Sequence, residues 1–127
     1  MIASDIMTRR VCTTRAETTV QELAQLLSRE HISGAPVVDE HGGIIGIVTE
    51  ADIISKVSRA DLRVADIMSH ELITVEEESQ VSDIACLLTE RKIKRVPVVH
   101  HGKLTGIVSR ADIVHAVAQG HIVLRQW

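Results

Sequence analysis

The stretch GIVTEAD at residues 46–52 returns almost unchanged as GIVSRAD at residues 106–112. In each copy an apolar run predicts a strand, and the polar residues that follow predict the first turn of a helix. A hydroxyl and a carboxylate therefore lie three residues apart where the strand becomes a helix. The repetition indicates an internal duplication, which limits the folds that the chain can adopt.

A second motif repeats with nearly the same spacing. DIMT at residues 5–8 returns as DIMS at residues 66–69, an offset of 66 − 5 = 61, whereas the first motif returns after 106 − 46 = 60. One residue is therefore lost between the segments 39–43 and 100–102. Both segments are polar and contain glycine, which predicts hairpin turns, where a deletion is tolerated.

Each repeat has the same predicted order of elements, β-α-β-β-α. A short extended stretch comes first, at Val11–Thr13 in one repeat and at Leu72–Thr74 in the other. Thr19 with Glu22 matches a capping box for the helix that follows, and Ser79 is the predicted N-cap of its copy. The apolar residues of these helices recur at i, i+3, i+4 and i+7, which forms one face; they are Val20, Leu23, Ala24 and Leu27, and then Val81, Ile84, Ala85 and Leu88.

Two apolar strands around each hairpin complete the repeat, and a second helix begins near Ala51 or Ala111. The strands are expected at residues 35–38 and 44–48, with copies at 96–99 and 104–108. Gly120 is the predicted C-cap of the last helix. The chain thus divides into a first repeat at residues 1–60, a second repeat at 61–120 and a tail at 121–127.

One repeat of about 60 residues is marginal for folding alone. We therefore expect two pseudo-twofold-related units that pack through their sheets in a mixed α/β (α+β) fold. The join from Ser58 to Val64 is short and polar, which fits close packing. The tail, which carries Trp127, has no counterpart in the first repeat; it either contributes to a contact between chains or frays.

The composition argues against several classes of function. Of the 127 residues, 45% are hydrophobic, but Phe and Tyr are absent, so the core must be aliphatic. A net charge of −3 gives no general attraction for nucleic acid or an anionic membrane. No apolar run approaches the roughly 18 residues of a membrane span, and a signal-peptide pattern is absent at the N-terminus. We expect a cytoplasmic protein in which Cys12 and Cys86 are reduced core residues.

The paired hydroxyl and carboxylate allow two interpretations. A Thr or Ser three residues before an Asp at a helix start is close to a capping box, so Thr49 with Asp52 and Ser109 with Asp112 fit a structural role. The same residues suit a nucleotide, because helix N-termini attract phosphate and an ionised carboxylate has two oxygens that accept the hydroxyls of a ribose. The two interpretations are compatible. Asp5 and Asp66, which begin the DIM motifs, are explained by capping or turn formation.

The chain resembles a tandem pair of cystathionine β-synthase-type domains, a CBS pair or Bateman module. The resemblance rests on DIMT and DIMS, on APVVD at residues 35–39 and VPVVH at 96–100, and on the GIV motifs, in the same order in both repeats. It covers residues from about 3 to 118. It implies a regulatory module that binds AMP, ADP, ATP or S-adenosylmethionine in clefts between the units, requires no cofactor, forms disc-like homodimers and signals to an effector protein.

The resemblance also implies which residues form the sites. Thr49 and Asp52, or Ser109 and Asp112, hold the ribose and phosphate. Gly34 and Ala35, or Arg95 and Val96, border the base, and Thr13 or Thr74 closes the cleft. The resemblance does not determine which repeat contributes which segment to a given cleft.

Charge distinguishes the two sites. Glu50 corresponds to Arg110, Gly34 to Arg95, and Ser33 to Lys94. Because Arg and Lys favour phosphate, we predict that the Ser109/Asp112 site prefers a phosphorylated ligand. The Thr49/Asp52 site is expected to be vacant, weaker, or suited to an uncharged or cationic ligand. The basic run at residues 91–95 is equally consistent with an ordinary solvated helix end.

Other motifs give weak signals. The glycines at residues 42, 43 and 46 lie on a hairpin rather than before a helix, so they do not form a phosphate loop. Two adjacent histidines, His100 and His101, do not form a metal site without further Cys or His ligands, and no metal is expected. No nucleophile with an adjacent base is apparent, which argues against an enzyme. The alternative to a ligand sensor is an interaction module with vacant clefts.

Overall fold

The computed structural model describes residues 1–57, 59 and 61–122, which form two compact units. The inner unit is the continuous segment Cys12–Leu72, and the split unit combines Met1–Val11 with the chain from Ile73 onward. The elements in chain order are α1 (Ala3–Ile6), α2 (Val20–Glu30), β1 (Gly34–Val38), β2 (Ile44–Thr49), α3 (Glu50–Ile54), α4 (Val64–Ile67), β3 (Val75–Glu76), α5 (Val81–Glu90), β4 (Arg95–His100), β5 (Lys103–Ser109) and α6 (Arg110–Ala118).

In the inner unit, β1 and β2 form an antiparallel hairpin in which Gly34 pairs with Thr49. Thr14 extends this sheet by one residue through a parallel bridge to Val37. Helix α2 packs its apolar face on the sheet, and α4 contributes to the same core. The buried residues are Leu23, Leu27, Ala35, Val37, Val48, Val64 and Ile67.

In the split unit, the sheet has three strands in the order β3-β4-β5, with β3 parallel and β5 antiparallel to the central β4. The β4–β5 turn uses His101 and Gly102, both at positive φ (52° and 78°), which suits a two-residue hairpin. Helices α1 and α5 pack on this sheet. The buried residues are Ala3, Met7, Ile84, Leu88, Val96, Val98 and Val108.

The one-turn helices α1 and α4 end within the two DIM motifs, and each packs with the other repeat's strands. Met7 lies in the core of the split unit, and Val64 and Ile67 lie in the core of the inner unit. The compact units therefore differ from the sequence repeats at residues 1–60 and 61–120, because each unit takes its DIM helix from the opposite repeat.

This packing explains why the GIV motif begins with glycine. A Cβ on Gly106 would lie 2.6 Å from Met7 Sδ, and a Cβ on Gly46 would lie 2.9 Å from the Ser69 carbonyl oxygen. Both distances are below van der Waals contact. The repeated DIM and GIV motifs are thus two sides of one contact, made once in each unit.

The predicted α+β class, both long helices and both hairpins are confirmed. The Thr19–Glu22 capping box is present. The C-cap of α6 is Gln119 rather than Gly120, which is the next residue and has a φ of 76°. Asp5 and Asp66 cap α1 and α4 by accepting from the backbone amides of Ile2 and Arg63, at 2.8 and 2.7 Å.

Several local predictions are wrong. Gln80 rather than Ser79 is the N-cap of α5, because the Ser79 hydroxyl accepts from the Glu76 amide and closes the preceding turn. Val11–Thr13 form no strand, since only the next residue is bonded to β1. Cys12 and Cys86 are free, but Cys12 is half-buried and Cys86 is exposed. Cys86 lies two residues after Ile84, on the opposite side of α5 from its buried face.

The described part of the chain contains no helix with the length and apolarity needed to cross a membrane. The tail prediction for Trp127 falls outside the described residues.

Candidate functional site

The Ser109–Asp112 corner of the split unit lies where β5 becomes α6. The Ser109 hydroxyl accepts from the Asp112 amide at 3.1 Å, and Asp112 Oδ2 accepts from the Ser109 amide at 2.8 Å. Both residues are half-buried. The pair therefore forms a reciprocal capping box, as the spacing predicts.

The Thr49–Asp52 corner of the inner unit has the same geometry at the junction of β2 and α3. Asp52 Oδ2 accepts from the Thr49 amide at 2.8 Å and from its hydroxyl at 3.1 Å, and Thr49 Oγ1 accepts from the Asp52 amide at 3.4 Å. Capping thus uses one carboxylate oxygen in each corner. The other oxygen, Oδ1, is not needed to hold the helix start.

The two corners differ at this second oxygen. In the split unit, the Thr8 hydroxyl donates to Asp112 Oδ1 at 3.1 Å. Thr8 is held there by two backbone hydrogen bonds with Ile107, of 2.8 and 2.9 Å. Both residues at this contact lie in the split unit, so Thr8 is part of the corner, although the sequence motif alone does not predict it. Its hydroxyl at the end of a repeated DIM motif was the available signal.

The counterpart of Thr8 in the inner unit makes the same backbone bridge but not the same side-chain contact. Ser69 exchanges backbone hydrogen bonds with Ile47 at 2.8 and 3.0 Å, while its hydroxyl accepts from the Glu71 amide. Within residues 1–57, 59 and 61–122, no hydrogen bond to Asp52 Oδ1 is found. In the described residues, Asp52 Oδ1 of the inner corner therefore accepts no hydrogen bond, whereas Asp112 Oδ1 of the split corner accepts one from Thr8.

Strand pairing brings the predicted base-bordering residues beside the corners. Gly34 pairs with Thr49 and Ala35 with Val48 in the inner unit. Arg95 pairs with Ser109 and Val96 with Val108 in the split unit. Ala35 and Val96 are buried below these positions.

The two predicted closing residues lie on the other side of the central strands. Thr74 immediately precedes β3, which pairs with β4, so β4 separates Thr74 from Ser109. Two strand spacings correspond to roughly 10 Å, and the residues of β4 between the two positions, 96–99, are buried. Exposed Thr13 has the equivalent place in the inner unit, one residue before the bridge from Thr14 to Val37.

The split corner is bordered by three exposed cations, Lys94, Arg95 and Arg110. The Arg110 amide donates to the Lys94 carbonyl at 3.0 Å, and its guanidinium Nε donates to the Ile93 carbonyl at 3.2 Å. One end of the Arg110 guanidinium is thereby fixed. Its terminal nitrogens are not used in this contact.

The inner corner has the same backbone arrangement without the cations. The Glu50 amide donates to the Ser33 carbonyl at 2.8 Å, which matches the contact between Arg110 and Lys94. Glu50 is exposed beside an open pocket of about 340 Å³, lined by Leu27, Ser28, His31, Ile32 and Ser33. The helices also differ, because α3 has five residues and α6 has nine. A longer helix presents a fuller dipole to an anion at its N-terminus.

Two carboxylates outside the corners have lowered pKa values, and both serve local structure. The Thr19 hydroxyl and amide lower the pKa of Glu22 in the capping box of α2. The backbone amides of Gly43 and His41 lower the pKa of Asp39 in the first hairpin turn. These shifts reflect turn and helix formation rather than an acid–base site.

Comparison with known proteins gives consistent matches over nearly the whole chain. A protein-family model described as CBS domain matches residues 3–59 and again residues 64–119. The L-aspartate semialdehyde sulfurtransferase of Methanocaldococcus jannaschii is 31% identical over 113 residues, which cover 88% of this chain and 22% of that protein. The chain spans 22%, 38% and 59% of the length of three curated relatives that it matches.

Two solved structures have the same fold and contain adenosine compounds. CBSX2, a CBS-pair protein from Arabidopsis thaliana, in complex with AMP has a TM-score of 0.86 and 28% identity, covering 95% of this chain and 98% of that chain. The CBS domain pair of protein MJ0100 in complex with 5′-methylthioadenosine and S-adenosyl-L-methionine has a TM-score of 0.81 and 29% identity, covering 94% and 98%.

Proposed function

The chain belongs to the CBS domain family, and from this premise we propose that it is a regulatory module that binds adenosine-containing ligands at its two carboxylate corners. The ligand classes are AMP, ADP, ATP and S-adenosylmethionine or its relatives. Binding biases the conformation or assembly of the module, and no catalytic step is involved.

The observation that carries the proposal is that only one of the two oxygens of each carboxylate is used to cap the helix. Oδ2 of Asp52 and of Asp112 caps the helix, so its position is fixed by the fold. Oδ1 then lies at a fixed place beside a helix N-terminus, where in Asp112 it accepts a hydrogen bond from the Thr8 hydroxyl. A ribose diol needs such an acceptor, and a phosphate is attracted by the amides at a helix start.

The solved relatives support the ligand class. CBSX2 binds AMP, and the CBS pair of MJ0100 binds 5′-methylthioadenosine and S-adenosyl-L-methionine, as their structures are described. Adenosine is common to these ligands, whereas phosphate is not. We therefore assign the common part, the ribose and adenine, to the features that both corners share.

The features that differ between the corners support a proposal for where the phosphate binds. Lys94, Arg95 and Arg110 border the split corner, and α6 supports it with nine residues. We propose that this corner takes AMP or a longer nucleotide. The inner corner, with Glu50 in place of Arg110, takes an uncharged or cationic adenosine compound, such as 5′-methylthioadenosine or S-adenosylmethionine.

Calorimetric titration with AMP, ATP and S-adenosylmethionine tests the proposal, using Asp112→Asn and Asp52→Asn as a matched pair. Asparagine keeps an oxygen for capping but loses the charge and one acceptor. We expect Asp112→Asn to weaken AMP binding at least about tenfold, which corresponds to about 1.4 kcal/mol, and Asp52→Asn to leave it unchanged. Equal AMP affinity for Asp112→Asn and the unaltered protein would contradict the assignment.

The opposite charge at Glu50 favours a second candidate for the inner corner, which is a vacant site with a structural role. Titration of Asp112→Asn with S-adenosylmethionine distinguishes the two. Saturable binding that is lost when Asp52→Asn is added to this variant supports a ligand at the inner corner. The absence of binding heat supports a vacant inner corner. A homodimer and an effector protein complete the proposed signalling, and equilibrium sedimentation with and without AMP tests the dimer.

A further inference from the structure

A cluster of three side chains lies at one edge of the split-unit sheet, outside both corners. His100 ends β4, and Glu77 and Glu78 follow β3, the strand that pairs with β4. His100 Nδ1 lies 3.7 Å from Glu77 Oε1 and 3.7 Å from Glu78 Oε1. One donor atom from each residue lies within 4.8 Å of the others.

We propose that Glu77, Glu78 and His100 form a binding site for a divalent transition metal ion, for which Zn²⁺ is the test ion. Imidazole nitrogen and carboxylate oxygen are ordinary zinc ligands at about 2.0–2.2 Å. Tetrahedral geometry at these lengths requires donor atoms roughly 3.4 Å apart. The separations from His100 are 3.7 Å and all three donor atoms lie within 4.8 Å of one another, so side-chain rotations have to bring them to this value.

Hydrogen bonds fix the backbone of Glu77 independently of any metal. The Glu77 amide donates to the Val99 carbonyl at 3.2 Å, and the Ser4 amide donates to the Glu77 carbonyl at 3.0 Å. Glu77 is thus bonded to the strand that carries His100 and to α1. Three protein ligands leave the remaining metal positions to water, as in open zinc sites.

The histidine distinguishes this cluster from an ordinary patch of acidic side chains. Histidine is the commonest metal ligand, and here it faces both carboxylates at equal distance. Lys103 pairs with His100 across the hairpin, but in the described segments no ion pair joins a lysine or arginine to Glu77 or Glu78. A bound metal ion would place positive charge beside both carboxylates.

The duplication provides an internal comparison, since the same place in the inner unit lacks the first glutamate and the histidine. At an offset of 61, Ala16 replaces Glu77 and Asp39 replaces His100. Glu17, the counterpart of Glu78, pairs with Arg15 at 3.0 Å. The Asp39 carboxylate accepts hydrogen bonds from the His41 and Gly43 amides, both at Oδ1. The fold therefore does not require a Glu-Glu-His cluster at this position.

Calorimetric titration of the untagged, nucleotide-free protein with Zn²⁺ tests this proposal independently of the corners. We expect saturable binding of one ion per chain. His100→Ala and Glu77→Gln should each weaken it at least about tenfold, since loss of even an outer partner of a metal ligand costs this much. Both substitutions are at exposed or half-buried side chains, and thermal unfolding checks that the variants fold.

Two control variants exclude other donors. His41→Ala removes the histidine of the inner hairpin, and Cys86→Ser removes the exposed thiol; both should leave zinc affinity unchanged. Co²⁺ spectra should show no thiolate-to-cobalt absorption. The proposal is overturned if the unaltered protein shows no saturable binding, if His100→Ala binds zinc as tightly, or if Cys86→Ser abolishes the binding.

Discussion

Replacing Thr8 with valine should strengthen the binding of AMP at the split corner. Thr8 Oγ1 donates to Asp112 Oδ1 at 3.1 Å, so a ribose hydroxyl that uses this oxygen must displace or share that bond. Valine has the same branched shape as threonine but no hydroxyl. The backbone bond from the Thr8 amide to the Ile107 carbonyl, at 2.8 Å, does not depend on the side chain.

The size of the effect follows from the cost of breaking that bond. A hydrogen bond to a charged group contributes about 1.5–3 kcal/mol when it is shielded from water. Thr8 is exposed and Asp112 is half-buried, so we take about 1 kcal/mol. This free energy corresponds to a roughly fivefold lower Kd for AMP in Thr8→Val.

The assay is calorimetric titration of AMP into the unaltered protein, Thr8→Val and Ser69→Ala. Ser69 is the counterpart of Thr8, and its hydroxyl faces the Glu71 amide rather than Asp52, so Ser69→Ala should leave AMP affinity unchanged. Weaker or equal binding by Thr8→Val would refute the reasoning. Weaker binding in particular would show that the hydroxyl contacts the ligand. Weaker AMP binding by Asp112→Asn confirms separately that the split corner is being measured.

Three further predictions concern stability and are measured by urea unfolding. Gly46→Ala should destabilise the protein by about 1–3 kcal/mol, because its Cβ would lie 2.9 Å from the Ser69 carbonyl oxygen; an unchanged midpoint would contradict the close contact. Ile84→Ala should cost about 2–5 kcal/mol, because Ile84 is 1% exposed in the core of the split unit, and a smaller loss would mean that the cavity collapses. Asp39→Asn should destabilise the protein at neutral pH by an amount that shrinks on acidification. The lowered pKa of Asp39 gives stability that is complete above its ordinary value of 3.8 and is lost as pH falls through the folded value, so a pH-independent difference would refute this.

Local features of the fold were predictable because short-range spacing determines them. The apolar residues at i, i+3, i+4 and i+7 located α2 and α5, and glycine-containing turns located both hairpins. The capping box at Thr19 needs only four consecutive residues. The cap at Ser79 was assigned wrongly because its hydroxyl has a competing partner in the preceding turn, the Glu76 amide.

The features that sequence could not provide depend on which repeat contacts which. The two copies of the DIM motif have nearly the same sequence, so the sequence does not show that Met7 packs with the strands of the second repeat. The contact of Thr8 with Asp112 follows from that same exchange. The metal site proposed at His100 is likewise not visible in the sequence, because Glu77 and Glu78 lie near His100 only through the parallel pairing of β3 with β4.

Because α1 and α4 each complete the core formed by the other repeat, the chain has the connectivity of a domain-swapped dimer whose two subunits are covalently linked. A single repeat would complete its core only by exchanging its first helix with a second copy, and such domain swapping is a low-cost route to association. When the two copies are fused, the exchange of helices is intramolecular, and its equilibrium no longer depends on protein concentration. Separating the chain near residue 60 would therefore yield two fragments that each lack a helix of their own core, and their folding should recover on mixing.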